Sequence, residues 1–256
     1  MTVKLVIVIT TIVSLLILEN KFPFFAFQNS LRSRISDNFE LGVINSILSS
    51  LLTIAISQLP ILTRSHQGVL TTIASPAIAG ILAFLILDLY MYFWHRAMHA
   101  IPFAWRFHRI HHTDRSMNVS TAYRFHPIEI ISSSIPKLCL IWWLGISSNF
   151  VLIYDLVFTI NVALHHSNFR LPASLDRILS LVILTPNYHR IHHSQIVSET
   201  NSNYASVLIW WDRIFGTHKS RLDIAKIQLG VSDETRALNI WQLLSQPLLE
   251  HHPTDR

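Results

Sequence analysis

Five apolar stretches alternate with polar segments along this chain of 256 residues. A helix that crosses a bilayer needs about 20 mainly apolar residues, and the second and third stretches reach that length. We predict four to five membrane-spanning helices, at approximately 5–18, 43–63, 69–94, 128–144 and 150–164. The first stretch is short, but the polar residues 19–21 follow it in place of the small-residue cleavage site of a signal peptide, so we interpret it as a retained span.

The composition supports a membrane protein with a single domain. Half of the residues are hydrophobic, only 14% are charged and the mean hydropathy is positive, which is unusual for a soluble domain. No glycine-rich linker divides residues 1–256, and the alternation typical of strands is scarce. The sequence therefore predicts an all-α fold, in which an integral-membrane helical bundle carries a helical cap formed by residues 95–127 and 165–256.

Basic residues lie mainly on one side of the predicted bundle. The segments after the first and third spans are rich in arginine and lysine, whereas the loop between the second and third contains only Arg64. By the positive-inside rule the cap then faces the cytoplasm, at a bacterial inner membrane or at the endoplasmic reticulum. The net charge of +5 indicates attraction to anionic lipid headgroups, and no pattern typical of nucleic-acid binding occurs.

Histidines are concentrated in three short motifs within the predicted cap. Eleven of the fifteen lie between His95 and His193, and the motifs are H-R-A-M-H once and H-R-I-H-H twice. Neutral imidazole is the commonest metal ligand in proteins, and positions i, i+3 and i+4 of a helix lie close to one face. Three such faces can surround more than one metal ion. The motifs therefore indicate a dimetal site.

Several kinds of metal site are excluded because the histidine motifs lack the residues that those sites require. A helical zinc protease needs a glutamate directly after the first histidine, but Arg96, Arg109 and Arg190 occupy that position in the three motifs. The E-x-x-H pairs of carboxylate di-iron bundles do not occur in the motifs, and the single Cys139 excludes most thiolate sites. Imidazole suits iron, zinc, copper and nickel alike, so these ligands alone do not identify the metal. A zinc-dependent membrane hydrolase and a non-catalytic metal-binding protein remain as alternatives to a redox enzyme.

The residues around the histidines resemble the fatty acid hydroxylase superfamily, also called the sterol desaturase family, of histidine-rich di-iron oxygenases in membranes. The resemblance runs from about Asp88 to His218 and rests on D-L-Y-M-Y-F-W-H-R-A-M-H, W-R-F-H-R-I-H-H, R-F-H-P-I-E, H-S-N-F-R-L-P, T-P-N-Y-H-R-I-H-H-S and N-Y-A-S-V-L-I-W-W-D-R-I-F-G-T. It implies two iron ions that use O2 to hydroxylate or desaturate an unactivated C–H bond of a sterol-like or fatty-acyl lipid. It also implies a separate electron donor, such as a ferredoxin or cytochrome b5, because the chain has no G-x-G-x-x-G motif and no cysteine set for an iron–sulfur cluster.

Matched by position, the resemblance implies ten metal ligands: His95, His99, His108, His111, His112, His126, His166, His189, His192 and His193. His165 and His166 are adjacent, and the sequence leaves open which of them points to the metals. Hydrogen bonds that orient ligands are expected from Asp88, His165, Asn161, Asn203 and Asp212. The evidence for such a role is strongest for Asp88, because it precedes His95 by two helical turns inside a span. The evidence for Asp155 and Glu129 is weaker.

Overall fold

A computed structural model describes residues 2–27, 31–57 and 67–249, and within these ranges the ordered elements are helices. The α-helices are α1 (Thr2–Lys21), α2 (Leu31–Ser57), α3 (Pro76–Ala100), α4 (Pro102–His112), α5 (Pro127–Leu144), α6 (Ser148–His166), α7 (Ala173–Leu179), α8 (Pro186–His192), α9 (Val197–Thr200), α10 (Trp210–Ile214) and α11 (Ile240–Leu249). Short 3-10 turns form at Val69–Thr72, Val119–Tyr123 and Ile224–Lys226. The predicted all-α fold is confirmed.

Five of these helices are long and apolar enough to cross a membrane: Val3–Lys21, Ile35–Ala55, Pro76–Ala100, Pro127–Leu144 and Ser148–His166. They correspond in order to the five predicted stretches. The third differs most, because Ser75 caps a helix that begins at Pro76, and residues 69–72 form a separate turn. The second begins earlier than predicted, and its predicted end at 58–63 lies outside the described residues, as do Arg64, His251 and His252.

Helices α3, α5 and α6 meet at the end of the bundle opposite the histidines. Leu87 and Tyr154 are fully buried in an apolar cluster there. Gly145 ends α5 with a left-handed φ of +68°, and a Cβ at this position would lie 2.9 Å from the backbone nitrogen of Gly68. A side chain would therefore separate the two chain segments, so glycine suits the turn between α5 and α6.

Lys137, the one basic residue of α5, is paired with a carboxylate of a neighbouring helix. Its Nζ lies 2.8 Å from Oδ1 of Asp155 on α6, and Nζ of Lys4 on α1 lies 3.8 Å from Oδ2 of the same carboxylate. An ionised side chain in a span is costly unless it has a partner. The Asp155 carboxylate therefore joins three membrane helices through opposite charge.

The cap consists of the residues after α3 up to α5 and the residues after α6. It is fastened to the bundle by buried polar groups. Oε2 of Glu19, at the end of α1, accepts hydrogen bonds from the backbone nitrogens of Val119 at 3.0 Å and Asn168 at 2.9 Å. The buried guanidinium of Arg124 donates to the carbonyl of Ile110 and to Asn38 on α2. These contacts hold the ends of α1, α2, α4 and α6 together where the histidines lie.

Candidate metal centre

Nine histidines converge in two adjacent groups, and within each group the ligand nitrogens lie within 4.8 Å of one another. The five-histidine group consists of His95, His99, His108, His112 and His192. The four-histidine group consists of His111, His166, His189 and His193.

The two H-R-I-H-H motifs contribute to these groups in a reciprocal way. On α4, the first and last histidines of the motif enter the five-histidine group, and the middle one, His111, enters the other. On α8 and the residue that follows it, the first and last enter the four-histidine group, and the middle one, His192, crosses over. On a helix, position i+4 is rotated about 40° from position i in one direction and position i+3 about 60° in the other, so i+3 points about 100° away from i+4. The two groups are therefore in direct contact. The rings of His112 and His193 stack between them, with centroids 4.4 Å apart.

The Nε2 atoms of the four-histidine group lie at the separations of ligands around one ion. Nε2 of His166 is 3.0 Å from that of His111 and 2.9 Å from that of His189, which is 3.1 Å from that of His193. A metal–nitrogen bond is about 2.0–2.1 Å long, so two ligands at right angles lie about 3 Å apart. The arrangement fits a bound metal ion.

The five-histidine group presents nitrogens that need a partner. Among the described residues, no hydrogen-bond partner faces the buried Nε2 atoms of His95, His99 and His192. Burying a polar atom without a partner costs about 1–3 kcal/mol, so three such atoms in one place are unfavourable unless a cation binds them. This group also fits a metal ion.

The opposite ring nitrogens of both groups hold the imidazoles in place. Nδ1 of His95 lies 2.8 Å from the carbonyl of Tyr204, Nδ1 of His192 lies 2.7 Å from that of Ser202, and Nδ1 of His166 lies 2.7 Å from that of Val162. A carbonyl can only accept, so in each case Nδ1 carries the hydrogen. The lone pair is then on Nε2, which points into the group.

Burial keeps these imidazoles in the form that binds metals. It lowers the pKa of His111, His189 and His193 well below the usual histidine range, and the neighbouring imidazoles lower each pKa further. The same two causes lower the pKa of His112 and His192. The rings are therefore neutral at physiological pH, as metal binding requires.

The structure brings together nine of the ten predicted ligands and places His126 elsewhere. His126 is the N-cap of α5, where its Nδ1 accepts from the backbone nitrogen of Ile128 at 3.1 Å and its Nε2 lies 3.1 Å from the carbonyl of Leu244. Of the adjacent pair, His166 enters the four-histidine group. The buried ring of His165 lies 4.1 Å from the ring of His189 and packs against that group from outside.

Asp88 and Asn161 bond the cap through its backbone and through the indole of Trp211. Oδ2 of Asp88 accepts from the backbone nitrogen of Leu208 at 3.0 Å and from Nε1 of Trp211 at 2.8 Å. Nδ2 of Asn161 donates to the carbonyl of Ser206 at 2.7 Å and lies 3.4 Å from Nδ1 of His165. Both side chains therefore fasten residues 206–211 to the membrane helices, and within the described residues Asp88 forms no hydrogen bond with a grouped histidine.

Asn203 and Asp212 support the two carbonyls that orient His95 and His192. Asn203 lies between Ser202 and Tyr204 with a φ of +52°, and its side chain bonds the backbone of Tyr188 and Lys219. Asp212 accepts from the backbone nitrogens of Tyr204 and Ala205 at 2.7 and 2.9 Å, and burial raises its pKa. Both residues act on the ligands through the main chain.

Replacing Asn203 separates its backbone role from its hydrogen bonds. We expect Asn203→Gly to lower the melting temperature and to weaken metal binding by the five-histidine group, because three hydrogen bonds are lost. Asn203→Ala should cost about 1 kcal/mol more, because alanine is strained at this φ. Thermal unfolding and metal titration measure both effects. Equal stability of the two variants would show that φ is unimportant here.

Within the described residues, Glu129 is the one carboxylate at hydrogen-bond distance from a grouped histidine. Its Oε1 lies 2.8 Å from Nδ1 of His108, and both side chains are buried. Its place at the end of the motif R-F-H-P-I-E was only weak evidence for this role. A carboxylate that holds the outer nitrogen of a ligand raises the basicity of the metal-facing nitrogen.

We expect Glu129→Ala to weaken metal binding by the five-histidine group about 10–100-fold, because Nδ1 of His108 loses its acceptor. Glu129→Gln keeps an acceptor oxygen and serves as the matched control. Competition with a chelator measures the affinity of each variant. An alanine variant that binds as tightly as the glutamine variant would contradict the role.

Arg190 was not singled out by the sequence, although it stands inside the third histidine motif. Its buried guanidinium donates to the carbonyls of Ser167 and Phe169, the residues around the turn after His166, and lies 4.2 Å from the ring centroid of Phe24. Burial lowers its pKa to about 9, so it stays charged at neutral pH. The position of an arginine between ligands is the only local signal for this role.

Comparisons with known proteins agree with this site. Alkylglycerol monooxygenase of Danio rerio is 31% identical over 166 residues, which cover 63% of this chain and 35% of that protein. The ornithine lipid hydroxylase OlsE of Rhizobium tropici is 26% identical over 180 residues, covering 65% and 49%. The methylsterol monooxygenase erg25B of Aspergillus fumigatus is 29% identical over 139 residues, covering 52% and 45%. The chain thus spans between a third and a half of the length of these relatives.

No solved structure matches the chain. The sequence profile of the fatty acid hydroxylase family matches residues 80–217, which is more than half of the chain and contains all nine grouped histidines. The match confirms the resemblance derived from the motifs. With five helices able to cross a membrane, the chain is a multi-pass membrane protein that belongs to the fatty acid hydroxylase family.

Proposed function

We propose that this protein is an O2-dependent lipid hydroxylase whose two histidine groups each hold one iron ion. The observation that carries the proposal is the pair of adjacent, buried, all-histidine groups. The names of these relatives describe monooxygenases and hydroxylases of lipids, which supports hydroxylation over desaturation. Two bound iron ions would supply the activation of O2 that an unactivated C–H bond requires, because no side chain can remove a proton from such a carbon.

The chain's own residues supply orientation and exclusion of water. The backbone carbonyls of Ser202 and Tyr204 and the carboxylate of Glu129 hold His192, His95 and His108 in a fixed tautomer. The four-histidine group is fully buried, whereas His95 and His99 are partly exposed, so we infer that substrate and O2 approach from the five-histidine side.

Hydroxylation consumes one O2, two electrons and two protons for each alcohol and water formed. We propose that the electrons come from a separate ferredoxin or cytochrome b5, and that the substrate is a sterol-like or fatty-acyl membrane lipid. Basic residues at the histidine end of the bundle, such as Lys21, Arg32 and Arg106, support a cytoplasmic orientation of the cap.

The test is turnover of purified, iron-loaded protein in lipid with a reductant and ¹⁸O-labelled O2. An alkylglycerol ether, an ornithine lipid and a methylsterol form a suitable panel of substrates. We expect one ¹⁸O atom in a product alcohol. Oxygen-independent turnover of zinc-loaded protein would instead support the zinc-dependent hydrolase. Metal binding with no change in any lipid would favour a non-catalytic metal-binding protein.

A further inference from the structure

The loop that holds His95 continues along α3 toward the middle of the bundle. The carbonyl of Tyr204 bonds His95, and the backbone nitrogen of Leu208 bonds Asp88. These α3 residues are seven positions apart, which corresponds to about 10 Å along the helix. The loop therefore descends beside α3 instead of staying at the level of the histidines.

Two anchors give the depth that this loop reaches. Pro76 and Ser148 begin α3 and α6 at the ends opposite the histidines. Asp88 lies about 18 Å along α3 from Pro76, and Asn161 lies about 20 Å along α6 from Ser148. The hydrocarbon core of a bilayer is about 30 Å thick, and α6 is just long enough to cross it. Residues that bond Asp88 and Asn161 therefore lie at a depth occupied by acyl chains.

The backbone at this depth is paired, as a lipid environment demands. The backbone nitrogen of Leu184 donates to the carbonyl of Val207 at 2.8 Å, and that of Ile209 donates to Val182 at 3.1 Å. Nε1 of Trp210 donates to the carbonyl of Leu181 at 2.8 Å. The guanidinium of Arg213 donates to the carbonyls of Ser180 and Leu181. Polar groups of residues 180–184 and 207–213 thus bond one another.

Most of the large side chains exposed on residues 173–182 and α10 are apolar. We call this surface the lipid-facing patch, and its exposed apolar residues are Leu175, Ile178, Leu181, Val182, Trp210 and Ile214. Ile178 and Ile214 have 63% and 64% of their surface exposed. The acidic residue of α7, Asp176, interacts electrostatically with the buried Arg190, so it faces the interior of the protein. The neighbouring Phe215 packs against the exposed Phe93 of α3, with ring centroids 5.0 Å apart, so the patch continues the exposed side of a membrane helix.

We propose that residues 173–182 and α10 are embedded in the leaflet on the histidine side of the membrane, with the lipid-facing patch against acyl chains. The occupant is the bilayer, because the patch lies at acyl-chain depth and is continuous with the surface of α3. Arg177, exposed beside Ile178, has a stem long enough to carry its guanidinium to the lipid phosphates. The expected cap at 165–256 then consists of a membrane-embedded part and a part in water.

Spin labels on the full chain in liposomes test this placement. The natural Cys139 is exposed on α5 and gives the reference for a lipid-facing site. In a Cys139→Ala background, single cysteines replace Ile178 and Ile214 in the patch, and Leu222 in a fully exposed loop outside it. We expect labels at 178 and 214 to collide with O2 several-fold more than with a water-soluble nickel chelate, as at 139. The label at 222 should show the reverse.

Two results would overturn the proposal. Nickel accessibility at 178 and 214 equal to that at 222 would place the patch in water. Low accessibility to both reagents would place it against protein, as in a contact between two copies of the chain. If either variant fails to fold, Leu181→Cys probes the same patch, and unchanged metal content verifies that each labelled protein is intact.

Discussion

Replacing His111 by alanine should remove one metal ion per chain and nearly all turnover while the fold persists. His111 is the only residue of its motif in the four-histidine group, so the variant leaves that group three ligands. The other two histidines of the motif remain in the five-histidine group. A lost ion removes several kcal/mol of transition-state stabilisation, and about 4 kcal/mol corresponds to a thousandfold fall in kcat. Metal analysis and single-turnover product formation measure both effects.

His192→Ala is the reciprocal variant, because His192 is the residue of the third motif that crosses to the five-histidine group. Four ligands remain there, so we expect weaker binding of that ion and a smaller loss of metal than in His111→Ala. The control is His126→Asn, in which asparagine preserves the helix cap and both ions should remain. Loss of an ion from His126→Asn would return His126 to the ligand set, and retention of both ions by His111→Ala would refute the four-histidine group.

Eight of the nine grouped histidines could be recognised from the three motifs because helical spacing is a local property. Residues i, i+3 and i+4 are neighbours whatever the rest of the chain does, so each motif could be recognised alone. The division into two groups could not, because it depends on how α4 and α8 are rotated against each other. His126 shows a second limit. A histidine before a proline and a helix has the same local sequence whether it caps the helix or binds a metal.

Long-range partners account for the rest of what the sequence did not show. Glu19 bonds Val119 and Asn168, which lie 100 and 149 positions away, and no local pattern marks such a pair. The spacing of Asp88 from His95 correctly indicated a shared side of α3, because both face the loop of residues 204–211. The partner of Asp88 nevertheless proved to be the backbone and an indole of that loop, 120 and 123 positions away.

Asp88→Ala should destabilise the protein by about 3–5 kcal/mol, because it leaves the buried backbone N–H of Leu208 and the indole N–H of Trp211 without an acceptor. Asp88→Asn keeps one acceptor oxygen and should cost about half as much. Asp223→Ala, which removes an exposed carboxylate paired only with Lys226, is the surface control and should change stability by less than about 0.5 kcal/mol. Unfolding in mixed micelles, followed by circular dichroism, measures the differences.

A double variant decides whether Asp88 fastens the loop or orients a ligand. Trp211→Phe removes one of the donors that Asp88→Ala leaves unpaired, so the two changes together should cost less than the sum of the single ones. If Asp88 fastens the loop, Asp88→Ala keeps both metal ions below its lowered melting temperature, since the hydrogen-bond partners of Asp88 in the described residues are loop groups and Tyr154. Loss of metal at unchanged stability would instead assign Asp88 to a ligand histidine, as the spacing to His95 first indicated.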